Sequence, residues 1–247
     1  MGQHYIAFDI ETAKIIDGPV GDLKSHRPLG ITCAATFSSN EDEPRTWHGK
    51  TAEGTPSPQM TTEEAGELVR FLLDAGSNGA TILTWNGLGF DFDILAEESG
   101  MPEECKQLAR HHVDMMFHVF CQLGYPIGLG KAAEGMGLPG KSSSEAQKLA
   151  PDMWADGRHD EILEYVAQDV RATLSVGQTC EERGEICWIT RKGYPTCKPL
   201  PDGWLTVTQA LALPEPDTSW MDTPMLRTRF TDWLQTGIPD PPPASPN

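Results

Sequence analysis

Apolar positions in the first fifty residues recur with a period of two. Tyr5 to Phe8 form a short apolar run, Ile31, Cys33, Ala35 and Phe37 alternate within Leu29 to Phe37, and Arg45 to His48 make a brief third segment. Alternation sends successive side chains to opposite faces of an extended chain, so these segments predict three strands of a β-meander. Between the first two, Ile15 to Pro28 is longer than a tight hairpin needs and reads as a polar loop.

The period then lengthens. After the turn-rich Gly54 to Gln59, Thr61 and Glu64 have the spacing of a capping box, and Leu68, Phe71 and Leu72 continue a helix. Ala80 to Leu83 predict a fourth strand, followed by a glycine-bearing turn and an amphipathic segment from Asp91 to Ser99. From Pro102 the pattern is helical up to a break near His111-His112-Val113-Asp114, and another helix opens at Met115, Met116 and Phe117. Adjacent helical residues diverge, so His111 and His112 read as exposed histidines, not as a metal pair. Gly124 to Gly140 is glycine-punctuated, with a short helix around Lys131 to Met136 and no G-x-G-x-x-G turn. A long helix is predicted from about Arg158 to Cys180, with Ile162, Leu163, Val166, Val170 and Leu174 as its apolar stripe.

Beyond Cys180 the character changes. Residues 181–237 hold four of the seven tryptophans, Trp188, Trp204, Trp220 and Trp233, and a hairpin is expected at Cys187 to Thr190 with its turn at Arg191 to Tyr194. Large aromatics in so small a segment predict an appendage packed on the main domain, residues 1–180. Ile238 to Asn247 contain five prolines and are predicted to be disordered.

At 247 residues the chain has room for one α/β domain and an appendage, and a polymerase does not fit. No apolar stretch reaches the length of a membrane span and the first residues lack a signal-peptide pattern, so a soluble, cytoplasmic protein is expected. Six cysteines without a C-x-x-C pair read as reduced, mostly buried thiols and not as a zinc site.

Three segments carry candidate chemistry. Asp9 and Glu11 are two apart, so in a strand they project to one side, within reach of a shared cation. Asp91 follows Asn86 and Phe90 where a helix starts beside a strand end; helix capping is the simpler use of such an Asp. Tyr165 and Asp169, four apart, share a helix face.

In order and wording these segments resemble the Exo I (D-x-E), Exo II (N-x-x-x-F-D) and Exo III (Y-x-x-x-D) motifs of the DEDD 3′–5′ exonuclease superfamily. The wording is similar to that of family B DNA polymerase proofreading domains, and the likeness covers about residues 4 to 180. Tyr165 points to the tyrosine subtype, because the histidine subtype would want His where this chain has Glu164. The resemblance implies a ribonuclease H-like α/β fold, a mixed sheet flanked by helices. It implies Asp9, Glu11, Asp91 and Asp169 as ligands of two divalent ions, Mg²⁺ or Mn²⁺, with Asp9 bridging and Tyr165 orienting the attacking water. It also places Thr12, Asn86 and Phe90 where the family holds the terminal nucleotides.

The expected activity is that of a stand-alone 3′→5′ exonuclease on single-stranded DNA ends. An exoribonuclease and an idle adaptor or nucleic-acid-binding module are the alternatives. Lys141, after the Gly140 turn, is a further phosphate-contact candidate, as are Lys14, Lys24 and Arg27 around the first loop. The appendage aromatics, with Arg191, Lys192 and Lys198, offer a stacking surface. Net charge weighs on this reading: 36 acidic against 19 basic residues give −17, and −13 remains once four ligand carboxylates are set aside. Proteins that hold long nucleic acid by its backbone carry basic faces, so a non-enzymatic binder of long duplex is disfavoured and grip on a strand end is expected.

Overall fold

The first strand runs four residues past its apolar run. β1 is Tyr5–Thr12, because β2, Ile31–Ser38, pairs with it antiparallel from Ile6 opposite Ser38 to Thr12 opposite Ile31. The computed structural model describes residues 3–16, 23–139 and 144–235, with 144–149 as backbone alone. β3, Arg45–His48, joins the far side of β2 and completes the expected meander. After α1, Thr62–Ser77, the chain enters β4, Thr81–Thr84, which lies parallel to β1 on its other side. α2, Asp91–Ser99, and α3, Pro102–His111, lead to β5, Val113–Asp114, parallel to β4. The result is a five-stranded mixed sheet in the order β3-β2-β1-β4-β5, flanked by helices, as a ribonuclease H-like fold requires.

Both faces of β1 are covered, which is why its first residues are apolar without alternation. Ile6, Phe8 and Ile10 pack with Leu68 and Leu72 of α1, Phe92, Ile94 and Leu95 of α2, and Phe117 of α4, Met115–Leu123. α5, Leu129–Met136, follows, and then α6, Ser144–Ala155, and α7, His159–Arg183. On the second face Tyr5, Ala7, Cys33 and Ala35 meet Val166, Val170 and Leu174 of α7 and Trp154 of α6. α1 opens on the expected capping box, with Thr61 and Glu64 satisfying each other's backbone amides.

The later chain forms the hairpin β6, Glu185–Ile189, and β7, Pro195–Pro199, packed on α5, and then α8, Val207–Leu211, and α9, Thr228–Thr231. Three of its tryptophans are anchored: Trp188 is buried, Trp204 donates to the Gly177 carbonyl, and Trp233 donates to the Leu88 carbonyl. Trp220 is 66 % exposed, its ring edge against Tyr125.

Three expectations change. α6, α8 and α9 are not foreseen by periodicity. His112 is buried: α3 ends at His111, the chain turns extended, and the ring goes under the sheet to Thr84 Oγ1 at 3.0 Å, while His111 stays exposed. Cys187 and Cys197 face each other across the hairpin as a disulfide, so two of the six thiols are not free; Cys33, Cys105, Cys121 and Cys180 are free and buried. Lys141 and the proline-rich tail lie outside the described residues. No helix among the described residues is long and apolar enough to cross a membrane.

Candidate metal centre

The C-terminal ends of β1 and β4 lie side by side, and there the two strands part. β4 pairs with β1 only from Tyr5 to Ala7 and then turns away at Trp85, leaving the Ile10 amide on that side without a strand partner. A buried amide needs an acceptor. Asp91 supplies it: its Oδ1 accepts from Ile10 N–H at 3.0 Å, which fixes the first residue of α2 to the peptide between Asp9 and Glu11. The crevice beyond the carboxyl ends of parallel neighbours is the usual ligand position in open α/β sheets.

Asp9 and Glu11 occupy the β1 face that looks toward α7. There a carboxylate oxygen from each of Asp9, Glu11 and Asp169 lies within 4.8 Å of the others. Asp169 and Tyr165 are one turn apart on α7, both buried. Cys33, opposite Glu11 on β2, registers the acidic cluster: burial first, and then the charges of Glu11 and Asp9, push its thiol above the usual range. Thr12 is buried at the end of β1, where the ladder with β2 shifts register, and Thr32 Oγ1 donates to the Glu11 carbonyl beside it.

Asp93, the other carboxylate of the second motif, faces elsewhere. It is held by Lys24 at 2.5 Å and Arg27 at 2.6 Å, and Arg27 also reaches Glu97 at 2.9 Å. The loop cations therefore tie the first connection to α2. Lys14 donates its ammonium to the His26 carbonyl.

Asn86 has φ 78°, a left-handed conformation that Asn tolerates better than most residues, and Phe90 is half-buried just ahead of α2. The turn between them is held from beneath by a residue that sequence reasoning passed over. Asp114, at the end of β5, accepts from the amides of Asn86 at 3.0 Å, Leu88 at 2.9 Å and Phe117 at 2.9 Å. Burial pushes its carboxyl up to about 6 against the opposing pull of those amides. An Asp just before an apolar helical run was the available signal, since it is an N-cap pattern; its bonds to a turn 26 and 28 residues earlier left none.

No protein-family model and no curated protein matches the chain. Among solved structures, one match is the family B DNA polymerase from the hyperthermophilic archaeon Pyrobaculum calidifontis. The two share a fold. The TM-score is 0.51 at 18 % identity, over 73 % of this chain and 25 % of that one, so the match spans about a quarter of the polymerase. Within that fold the acidic cluster of Asp9, Glu11 and Asp169 could hold a metal ion. The Glu185, Cys187 and Cys197 ligand atoms form a second close group, but both sulfurs are taken up by the disulfide.

Proposed function

We propose that the protein is a metal-dependent 3′→5′ exonuclease that removes nucleotides from single-stranded DNA ends. The observation that supports this reading is the convergence of Asp9, Glu11 and Asp169 within 4.8 Å, with Asp91 fastened to the backbone between the first two. The donor set is all carboxylate oxygen, the chemistry of Mg²⁺ and Mn²⁺ sites. Asp9, Glu11, Asp91 and Asp169 would hold two such ions. When bound, the pair supplies a hydroxide nucleophile at neutral pH and neutralises the charge on the departing 3′ oxygen.

The rest of the work falls to the chain itself. The Tyr165 hydroxyl, one helical turn from Asp169, orients the attacking water. Asn86 and Phe90, five residues and one residue ahead of Asp91, and Thr12, directly after Glu11, hold the terminal nucleotides. Two divalent ions would match the charge of the four carboxylates, so the point of cleavage itself would not repel a strand although −13 remains on the rest of the chain.

End-labelled DNA and RNA oligonucleotides, with and without Mg²⁺, test the reading. Single-stranded DNA should shorten from its 3′ end, Mn²⁺ should replace Mg²⁺, and chelator should stop the reaction. Asp9→Ala should abolish cleavage while circular dichroism shows the fold retained. Tyr165→Phe should lower turnover about a hundredfold without comparable loss of metal binding. Full activity in chelator would sink the assignment, and shortening of RNA alone would move it to an exoribonuclease.

A further inference from the structure

Beside the second motif lies a cavity of about 620 Å³, within the range of small-molecule sites, and the last described segment of the chain builds part of its wall. Asn86 and Phe90 line it together with Met116, Met225, Arg229 and Phe230. The wall is firmly seated. Phe230 packs on Phe117 and Phe120 with ring centroids 5.4 and 4.8 Å apart, and Trp233 bonds the Leu88 carbonyl at 2.8 Å. Gly89 makes the approach possible: a Cβ there would stand 2.8 Å from the Phe230 ring and 2.6 Å from Asn86 Oδ1. Just ahead, the Arg227 guanidinium donates to the carbonyls of Leu211, Leu213, Pro214 and Cys121, which fixes the path of the segment.

Charge sets Arg229 apart. Lys24, Arg27 and Lys106, the other cations lining this cavity or the one beside it, are bound to Asp93, Glu97 and Glu103, whereas Arg229 is exposed and has no ion pair among the described residues. It lines both this cavity and an adjoining one of about 470 Å³ that runs toward Lys106 and Trp233. In a chain of net −17, an arginine left to face a cavity lined by Asn86 and Phe90 of the second motif is placed for an anionic ligand.

We propose that this cavity takes the unpaired nucleotide on the 5′ side of the one held at the carboxylates, with Arg229 on its phosphate. The inference rests on the exonuclease reading and extends it to residues outside the three motifs. Met116, Met225 and Phe230 offer an apolar surface to a base face, a contact indifferent to sequence. A guanidinium suits phosphate by its paired donors. A base in a duplex cannot enter such a concave site without unpairing, so the wall built by residues 225–233 would itself select single strands.

The test uses the full chain carrying Asp169→Asn to stop cleavage, in Mg²⁺, with a fluorescein-labelled single-stranded DNA octamer read by anisotropy. Adding Arg229→Ala should weaken binding about tenfold and make the salt slope shallower by about 0.7, the share of one phosphate contact. Arg229→Lys should recover most of the loss, and Arg70→Ala, a cation on α1, should change neither quantity. A neutral methylphosphonate linkage, stepped along the octamer, should weaken the parent protein at one position near the 3′ end. At that position it should add no further loss to Arg229→Ala. If the parent protein binds and the wild-type enzyme degrades DNA, yet Arg229→Ala leaves affinity and slope unchanged, the cavity inference is overturned and the exonuclease reading stands. If the wild-type protein neither binds nor degrades DNA, both fall.

Discussion

Two aspartates two residues apart have opposite surroundings. Asp91 faces the β1 backbone beside the acidic cluster, and Asp93 faces the loop cations. On the proposed exonuclease reading, Asp91→Asn should cut turnover by about a hundredfold or more while leaving thermal unfolding nearly unchanged. Asp93→Asn should leave turnover within a few fold but cost about 1–3 kcal/mol in urea unfolding, since it strips two partly buried ion pairs. The reverse order would mean that Asp93 is the ligand. A second residue-scale expectation concerns protons. Burial pulls His112 down to about 3 and His118 down to about 4, so both stay neutral when folded at a pH where the unfolded chain protonates them. Stability is then lost as pH falls below about 6.5. Asp114, raised to about 6, takes up a proton in the folded state over the same range and offsets one of the two. Two depressed imidazoles against one raised carboxyl leave a net loss on the order of 1 kcal/mol per pH unit between pH 6 and 4, reduced further by Glu98, whose carboxyl is also raised by burial. Urea titrations at pH 7.5, 6 and 5 measure it, and His112→Asn should nearly flatten the dependence; a wild-type protein equally stable at pH 5 and 7.5 would contradict this account.

Helices and strands were readable wherever local period decides them. β3 is Arg45–His48 as expected, and α1, α2, α3, α4, α5 and α7 fall within a few residues of their patterns. What period does not show is how closely two elements approach. Gly135 lies inside α5, where helix propensity alone would favour Ala by about 1 kcal/mol. Yet a Cβ there would stand 2.3 Å from Trp188 Cα and 2.4 Å from Trp188 N on β6, backbone atoms that cannot step aside. Gly135→Ala is expected to destabilise by about 2 kcal/mol or more, because α5 and β6 must move apart. Urea unfolding gives the sign, and a stabilised variant would show that the two elements are not packed this tightly. His112 is the matching case in the core. Its burial follows from the chain leaving α3 for β5 at that residue, a change of direction that the adjacent His111 does not share.

Over the whole molecule, on the proposed exonuclease reading, the acidic balance limits how nucleic acid can be held. With −13 outside the four carboxylates and many cations already paired with Asp or Glu, few phosphates can be met by Lys or Arg. Each such contact contributes about −0.7 to the dependence of log affinity on log salt for single strands, so a slope no steeper than about −2 is expected. Anisotropy titrations from 50 to 300 mM salt read it directly. A steep slope, or tight binding to duplex without a free 3′ end, would reveal a concentrated basic face.

The amino-acid sequence by itself determined which residues lie on the same side of one element. A two-residue spacing puts Asp9 and Glu11 on one face of a strand, a four-residue spacing puts Tyr165 and Asp169 on one face of a helix, and both follow from backbone geometry alone. Asp91 at the start of its helix was legible for the same reason. Only the tertiary structure decided which faces meet. It joined Asp91 to the Ile10 amide across 81 residues, set Asp114 beneath the Asn86 turn, paired Cys187 with Cys197, and brought Arg229 and Phe230 to the cavity beside Phe90. A repeating pattern records the face a side chain occupies but not the partner that covers it. That partner is selected by packing and by buried polar groups finding their acceptors, which depend on the folded chain as a whole.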